Sequence, residues 1–411
     1  MRSTSTRPTE ASSYRALLAT PEVGVLLLVT LLSRLAGRMF GLSIVLYALL
    51  RTGSPVLAGW LAFAAVAPGL VVSPLAGALI DRVGSAWAIT VDMAASAACV
   101  LALIALDRLG WAAPPALLVL TATYSLTSPL SMAGIRALLP GLVPVQARDR
   151  ANALDTAIHG VTDVVGPAAA GALVGFAGPE AALGTIALAF SGASVCLGRI
   201  RQRREALPGI GQLMPQAWHG LLLVLRRRTL RGLAIAYSLY EMSWGVLVVA
   251  VPVSAAAHYA GGAAAAAAGM LWAGLGLVGA IAALVAGHRR TMGRERCVMA
   301  LGMLVTAVAL WPIAGCLGLP GLALAMMLIG AAAGPIDVGV LTLRQRRTDP
   351  RELGRVLSVS MSLNMAGGPL GSALGGALSA WSLGATFVVA AVASALGAAA
   401  VALIPASDDA E

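Results

Sequence analysis

Three titratable residues recur at four-residue intervals within an apolar stretch of the chain. The segment ALDTAIHGVTDVVGPAAAG, residues 153–171, contains Asp155, His159 and Asp163. Side chains four residues apart lie on one face of an α-helix, so these three predict a stripe of proton-exchanging groups. Ionisable groups are costly in hydrocarbon, and those found there are candidates for function that need a partner of opposite charge.

Basic partners for this stripe are available in the first apolar segment, which reads LLSRLAGRMFG. Its residues Arg34 and Arg38 lie one helical turn apart, and arginine keeps its proton in proteins, so each requires a counter-charge. Two hypotheses follow. Either Asp163 exchanges a proton, releasing Arg38 when protonated, with His159 and Asp155 as relays, or the pairs are permanent ties between two helices.

A second set of polar residues suits the binding of a substrate. In AIAYSLYEMSWGV, the residues Tyr237, Glu241 and Trp244 share one helical face. A carboxylate between aromatic rings fits a lipophilic cation through charge attraction and cation–π contact, although an aromatic stripe also packs against neighbouring helices. Tyr124, in the hydroxyl-rich TATYSLTSPLSMAG, and Asp337, in AGPIDVG, are further candidates for this site.

The elements that must position these residues are indicated by composition. The chain has 411 residues, of which 59% are hydrophobic and 11% are charged, and its mean hydropathy is +0.87. Soluble domains carry about 25% charged residues, whereas about 20 apolar residues cross the membrane. The sequence predicts an all-α membrane protein with twelve transmembrane helices in two six-helix halves, at residues 22–49, 55–80, 86–106, 112–135, 152–176, 180–198, 231–256, 263–287, 297–317, 320–343, 355–380 and 383–405.

The charge distribution predicts the orientation of the chain. Its net charge is +10, and all 28 basic residues other than histidine are arginine. With both termini in the cytoplasm, all of them except Arg34, Arg38, Arg51 and Arg108 fall in cytoplasmic segments. Because cytoplasmic loops of membrane proteins are enriched in arginine and lysine, this pattern explains the net charge without a nucleic-acid partner.

The chain also divides into two similar halves. We expect a cytoplasmic tail at residues 1–21, a first half at 22–198, a basic linker at 199–230, a second half at 231–405 and a second tail at 406–411. The first half contains RANALDTAIHGVTDVVGPAAAGAL and the second RVLSVSMSLNMAGGPLGSALGGAL, each with a Gly-Pro pair. A repeat of this kind predicts a central binding site between the halves.

One motif points to a known family. The sequence SPLAGALIDRVG, with Gly77, Asp81, Arg82 and Gly84, resembles the G-x-x-x-D-R-x-G loop signature of the major facilitator superfamily of secondary transporters. That resemblance implies the twelve-helix fold and a conformational switch at these four residues. The basic residues that usually follow the signature are replaced by Ser85 and Ala86.

The two Gly-Pro pairs extend the resemblance. The first stretch contains Gly160, Gly166, Pro167, Gly171 and Gly175 and is similar to the antiporter motif of this superfamily, although Thr162 and Ala170 depart from its spacing. Its small residues, like Gly368 and Pro369 in the second half, favour close helix packing. The nearest resemblance is to bacterial drug-efflux members of the macrolide-efflux-like group, which implies proton antiport in the cytoplasmic membrane.

Together these observations predict proton-coupled efflux of hydrophobic small molecules, cations included, by alternating access. The expected partners are a small-molecule substrate, protons and the lipid bilayer, with a monomeric chain. No catalytic, metal or nucleotide-binding motif occurs, so neither an enzyme nor a cofactor is expected. Uptake or proton symport of a small solute, and a membrane sensor that keeps the fold without transport, remain alternatives. Asp92 is expected to be a structural acid.

Overall fold

The computed structural model describes residue 17 and residues 20–198, 222–288, 293–348 and 353–406 of the chain. In this part of the chain the regular elements are helices, without strands. Eleven of these helices are long and apolar enough to cross a membrane. The expectation of an all-α membrane protein is therefore confirmed. Most of the predicted linker and of the two tails lies outside the described residues, so the domain boundaries stay a prediction.

The helices are numbered by span, and two spans consist of two helical segments each. Their bounds are α1 Pro21–Thr52, α2a Pro55–Ala64, α2b Ala67–Val83, α3 Ser85–Arg108, α4 Pro114–Leu142, α5 Arg148–Ala177, α6 Pro179–Leu197, α7 Arg228–His258, α8 Gly261–His288, α9 Glu295–Val308, α10 Gly318–Arg346, α11a Leu353–Met365, α11b Gly367–Ser379 and α12 Leu383–Ala400. A π-helical turn, Ala309–Ala314, continues α9. The twelfth predicted span is the interrupted α11, whose two segments of 13 residues each are too short to be counted singly.

Proline and glycine set several of these boundaries. Proline is the first residue of α1, α2a, α4 and α6, where its missing N–H costs no helical hydrogen bond. Gly53 ends α1 with φ 63°, and Gly84 joins α2b directly to α3 with φ 90°. Both angles lie in the region that favours glycine over residues with a Cβ. The glycine at the end of the loop signature therefore permits the sharp turn between two spans.

The two halves meet along two helix pairs, α5 with α8 and α2 with α11. We call the end of the bundle that holds the α1–α2, α5–α6 and α7–α8 connections the Arg-poor end, and the opposite end the Arg-rich end. At the Arg-poor end, a Cβ built on Gly171 would lie 2.6 Å from Gly269 Cα, and one on Gly59 would lie 2.9 Å from Gly376 Cα. Only glycine allows backbones to approach so closely, so the halves are closed against each other at this end.

Towards the middle of the bundle, the α5–α8 seam ends and a space opens between the halves. Gly276 is the last glycine of α8 along this seam that contacts α5. A Cβ built on it would lie 3.3 Å from the backbone oxygen of Asp163. At the same level, the side chains of Arg38 and Asp163 retain 48% and 39% of their accessible surface. Charged side chains at this depth are thus exposed to a cavity between the halves. The α2–α11 seam continues further, to Ser73 and Ser362, whose hydroxyl oxygens lie 3.1 Å apart.

Candidate functional site

The predicted stripe on α5 faces the two arginines of α1. Arg34 Nη1 donates a hydrogen bond of 2.8 Å to the backbone oxygen of Asp155, and its Nη2 lies 2.9 Å from Asp155 Oδ1. One turn further, Arg38 Nε lies 2.6 Å from Asp163 Oδ1. Arg38 Nη2 lies 3.4 Å from His159 Nε2, which must accept because arginine has no acceptor. The structure therefore brings together all five residues of the predicted proton-coupling set.

A glycine on α5 makes this pairing possible. A Cβ built on Gly166 would lie 2.5 Å from Arg38 Cβ, so any larger residue would push α1 away from α5. The neighbouring Pro167 lies within α5, and its backbone oxygen is 2.8 Å from the Cβ position of Gly269 on α8. The Gly-Pro pair thus packs α5 against one helix of its own half and one helix of the other half.

The two ion pairs differ in their access to solvent. The side chains of Arg34 and Asp155 are 16% and 20% exposed, compared with 48% and 39% for Arg38 and Asp163. Arg34 also contacts both the carboxylate and the backbone of Asp155, which fixes its position. The Arg34–Asp155 pair is therefore enclosed between helices, whereas the Arg38–Asp163 pair is open to the cavity.

Two acids from the second half lie across the cavity. Tyr237 Oη of α7 donates a hydrogen bond of 2.6 Å to Asp337 Oδ1 of α10. Glu241, one turn along α7, lies within reach of the same hydroxyl and interacts electrostatically with Asp337. Asp337 is exposed although it lies about 14 Å from the end of α10 at 1.5 Å per residue, so it faces the interior cavity.

The charges of the two halves meet in this cavity. Arg38 interacts electrostatically with Glu241, and Asp163 with Asp337. Among the described residues, neither Glu241 nor Asp337 has a basic nitrogen within 4.0 Å, whereas Asp155 and Asp163 of α5 are both paired with arginine. The first half therefore contributes a neutral ion pair, and the second half contributes two acids without a counter-charge.

An aromatic wall continues from the acids. Along α7, the ring of Tyr240 lies 5.7 Å from that of Tyr237 and 6.2 Å from that of Trp244, and Trp244 lies 6.0 Å from Trp272 of α8. Trp272 is not among the predicted site residues. It is the single aromatic residue between Gly261 and His288, and this isolation in an alanine-rich helix is the signal that could have indicated it. Its position next to Trp244 makes it part of the candidate site.

Other predicted residues lie away from the cavity. Tyr124 is 8% exposed and packs its ring 4.2 Å from Phe40 and 6.0 Å from Phe190, so in this conformation it belongs to the core of the first half. Asp92 is 1% exposed on α3, where Ser96 donates a hydrogen bond of 3.3 Å to it. Both residues stabilise contacts within the half rather than line the open space.

The loop signature and the second Gly-Pro pair lie at other places in the fold. Gly77 and Asp81 belong to α2b, but the surroundings of these two residues lie outside what the structure describes. Arg82, in the same helix, is exposed. The switch role of Gly77, Asp81, Arg82 and Gly84 stays a prediction. In α11b, a Cβ on Gly368 would lie 3.8 Å from Glu241 Oε2, and the neighbouring Pro369 is buried. The second Gly-Pro pair therefore packs beside the acid of the candidate site.

Comparison with known proteins identifies the family. The family model described as Major Facilitator Superfamily matches residues 26–288 and 233–411. The chain belongs to the Major Facilitator Superfamily. It is a multi-pass membrane transporter and not an enzyme, as the loop signature and the hydropathy pattern predict. The fold and the family are thereby confirmed.

Two curated relatives match over nearly their whole lengths. The chain is 53% identical over 397 residues to an uncharacterized MFS-type transporter, y4rN, of Sinorhizobium fredii, covering 96% of this chain and 97% of the relative. It is 27% identical over 387 residues to the multidrug efflux pump Tap of Mycolicibacterium fortuitum, covering 89% of this chain and 92% of that protein. These matches agree with a bacterial membrane transporter.

Solved structures share the fold at low identity. The nucleoside transporter NupG superposes with a TM-score of 0.73 at 12% identity, covering 93% of this chain and 100% of that one. A POT family transporter in complex with 5-aminolevulinic acid superposes with a TM-score of 0.69 at 11% identity, covering 92% and 94%. Identities this low establish the architecture alone.

Proposed function

We propose that this transporter exports hydrophobic organic cations in exchange for protons, by alternating access of its two halves. The observation that carries the proposal is the Arg38–Asp163 ion pair, which is open to the cavity and faces the unpaired acids Glu241 and Asp337. The relationship to a multidrug efflux pump supports the direction and the class of substrate.

The cavity defines where the cycle begins. The halves are closed at the Arg-poor end by the glycine contacts of α5 with α8 and of α2 with α11. Because arginine is enriched on the cytoplasmic side of membrane proteins, we assign the Arg-rich end to the cytoplasm. The conformation described is then the one that receives substrate from inside the cell, and the start of α1 and the end of α12 lie on that side.

Substrate binding uses the groups of the second half. A cation is attracted to the carboxylates of Glu241 and Asp337, and its apolar part contacts the rings of Trp244 and Trp272. While Asp163 is ionised, it holds Arg38 at 2.6 Å and keeps that guanidinium away from Glu241. The ionised state of Asp163 therefore leaves the acids free for the substrate.

Proton binding reverses this arrangement. A proton on Asp163 removes the charge that holds Arg38, while arginine keeps its own charge. Arg38 is then attracted to Glu241 on the opposite side of the cavity and competes with the bound cation. Because the proton and the cation favour different positions of one guanidinium, each weakens the binding of the other, as exchange requires. In this scheme His159, which contacts Arg38, is a route for protons towards Asp163.

The proposal is tested by efflux of a fluorescent lipophilic cation from cells that express wild type, Asp163→Asn or Glu241→Gln, with and without a protonophore. We expect protonophore-sensitive efflux in the wild type and a loss of about tenfold or more in Asp163→Asn, because the amide can neither bind the proton nor hold Arg38 as an ion pair. Membrane insertion is verified by quantifying the protein in isolated membranes.

Asp149→Asn is the matched control, since this aspartate lies exposed in the first turn of the same helix and outside the stripe. It is expected to transport like the wild type. Full efflux by inserted Asp163→Asn would reduce the stripe to a structural tie, and uptake of the probe by the wild type would reverse the proposed direction.

A further inference from the structure

Two carboxylates of the candidate site lie near one tyrosine hydroxyl. Tyr237 Oη donates to Asp337 at 2.6 Å, and Glu241 lies within reach of the same hydroxyl. A tyrosine hydroxyl has a single hydrogen to donate, so it satisfies one of the two acids at a time. In this structure the hydroxyl donates to Asp337, so Glu241 is left without that donor.

The nearest basic group is already engaged. Arg38 is paired with Asp163, and Arg34 with Asp155, so the α1–α5 contact is neutral. The remaining charged groups near the acids on α1, α5, α7 and α10 are those two acids themselves, Asp163, and Arg344 of α10, which interacts electrostatically with Tyr237 but is 2% exposed and so lies outside the open space. When all carboxylates are ionised, the site has an excess of two negative charges in a cavity where unpaired charge is costly.

From this charge count we infer that the preferred substrate is a dication, an aromatic or otherwise lipophilic molecule whose two positive groups bind Glu241 and Asp337 separately. The inference rests on the proposed function and specifies its substrate class. The rings of Tyr237, Trp244 and Trp272 are partly exposed beside these acids, whereas Tyr240 between them is buried, so rings that join the two positive groups have flat apolar partners. Release follows from the same geometry, because Arg38 freed by a proton on Asp163 neutralises one of the two acids.

A matched pair of probes separates the second charge from size and shape. Methyl viologen and 1-methyl-4-phenylpyridinium are both flat molecules of two aromatic rings, but the first carries two positive charges and the second carries one. Equilibrium binding of each radiolabelled probe is measured on the purified wild-type transporter in nanodiscs. We expect the dication to bind about tenfold more tightly or better, equivalent to ~1.4 kcal/mol.

Removal of either acid should abolish this preference. In Glu241→Gln and in Asp337→Asn the ratio of the two affinities is expected to fall to about one, because a single carboxylate remains in each. The exposed aspartate Asp149 again supplies the control, and Asp149→Asn should keep the wild-type ratio. Equal affinities in the wild type would overturn the inference, and this result requires no variant. A ratio that stays unchanged in both acid variants would overturn it as well.

Transport of the same probes in proteoliposomes distinguishes this inference from the proposed function. Proton-driven export of the monocation with no preference for the dication would overturn the inference alone. Absence of proton-driven movement of either cation would overturn the proposed function and the inference with it. Export of the dication in preference to the monocation would support both.

Discussion

At the scale of single residues, the same chemistry serves two purposes on one pair of helices. Arg34–Asp155 and Arg38–Asp163 are both arginine–aspartate pairs between α1 and α5, and the helical repeat places them one or two turns apart. The enclosed pair is held by contacts to carboxylate and backbone, while the open pair faces the cavity. Solvent access therefore distinguishes a structural ion pair from a candidate proton carrier, whereas the residue types are the same in both pairs.

This difference predicts opposite effects for the two aspartates. Asp155→Asn leaves the enclosed Arg34 without its counter-charge, so we expect a loss of stability of about 1–3 kcal/mol, seen as a lower melting temperature in detergent. Transport per inserted molecule should be retained, and Asp155→Glu should restore part of the lost stability. An unchanged melting temperature combined with lost transport would assign Asp155 to the proton pathway instead.

At the scale of helices, glycine contacts determine where the two halves touch. Gly171 and Gly269 face each other across the α5–α8 seam, and the Cβ positions of Gly175 and Gly262 each meet the backbone of the other helix. These four positions all lie towards the Arg-poor end of the two helices. Close packing there requires the absence of side chains, and the halves can separate only by giving up these contacts.

Filling the seam should therefore shift the conformation. We expect Gly171→Leu to separate α5 from α8 at the Arg-poor end, since its Cβ would already lie 2.6 Å from Gly269 Cα. The distance is measured by electron paramagnetic resonance between spin labels on cysteines that replace the exposed residues Phe176 and Tyr259. The four native cysteines are removed first, and the substitution is expected to lengthen the distance between the labels.

Gly184→Leu on α6 is the control, because nothing lies within 4 Å of its Cβ position. It is expected to leave the label distance unchanged. A distance that stays the same in Gly171→Leu as well would mean that the seam tolerates a side chain, and the glycines would then not determine closure.

At the scale of the whole molecule, the orientation of the chain decides which side of the membrane the cavity of this conformation faces. We propose from its charge that the Arg-rich end lies in the cytoplasm, in which case the cavity is open to substrate from inside the cell. With the same structure in the opposite orientation, the cavity would receive substrate from outside. The closed seam shows which end of the bundle is shut, and the charge pattern indicates which side of the membrane that end faces.

Cysteine labelling in intact cells tests this orientation. A cysteine in place of Trp111, which is 68% exposed at the α3–α4 connection of the Arg-poor end, should react with a membrane-impermeant maleimide added outside. A cysteine in place of the exposed Arg294, next to α9 at the Arg-rich end, should react only after the membrane is made permeable. The reverse pattern of labelling would contradict the assignment of the Arg-rich end to the cytoplasm.

The sequence by itself determined the membrane-spanning class, the family and the α5 stripe. Span length and hydropathy are local properties, and the four-residue spacing of Asp155, His159 and Asp163 follows from the helical repeat. Arg34 and Arg38 could be predicted as the partners of this stripe because they lie inside the first predicted span, where a charged arginine requires a counter-charge. The interruption of α11 at Ala366 was not foreseen, since hydropathy is continuous across it.

Only the tertiary structure decided which of these groups meet in the cavity. Tyr237 and Asp337 are 100 residues apart in the chain, and no local pattern relates the hydroxyl of α7 to the carboxylate of α10. Packing also placed Tyr124 within the core of the first half and Trp272 against Trp244. Contact and exposure depend on how distant helices pack, whereas hydropathy and periodicity describe each helix alone, so the sequence could supply the candidates but not their arrangement.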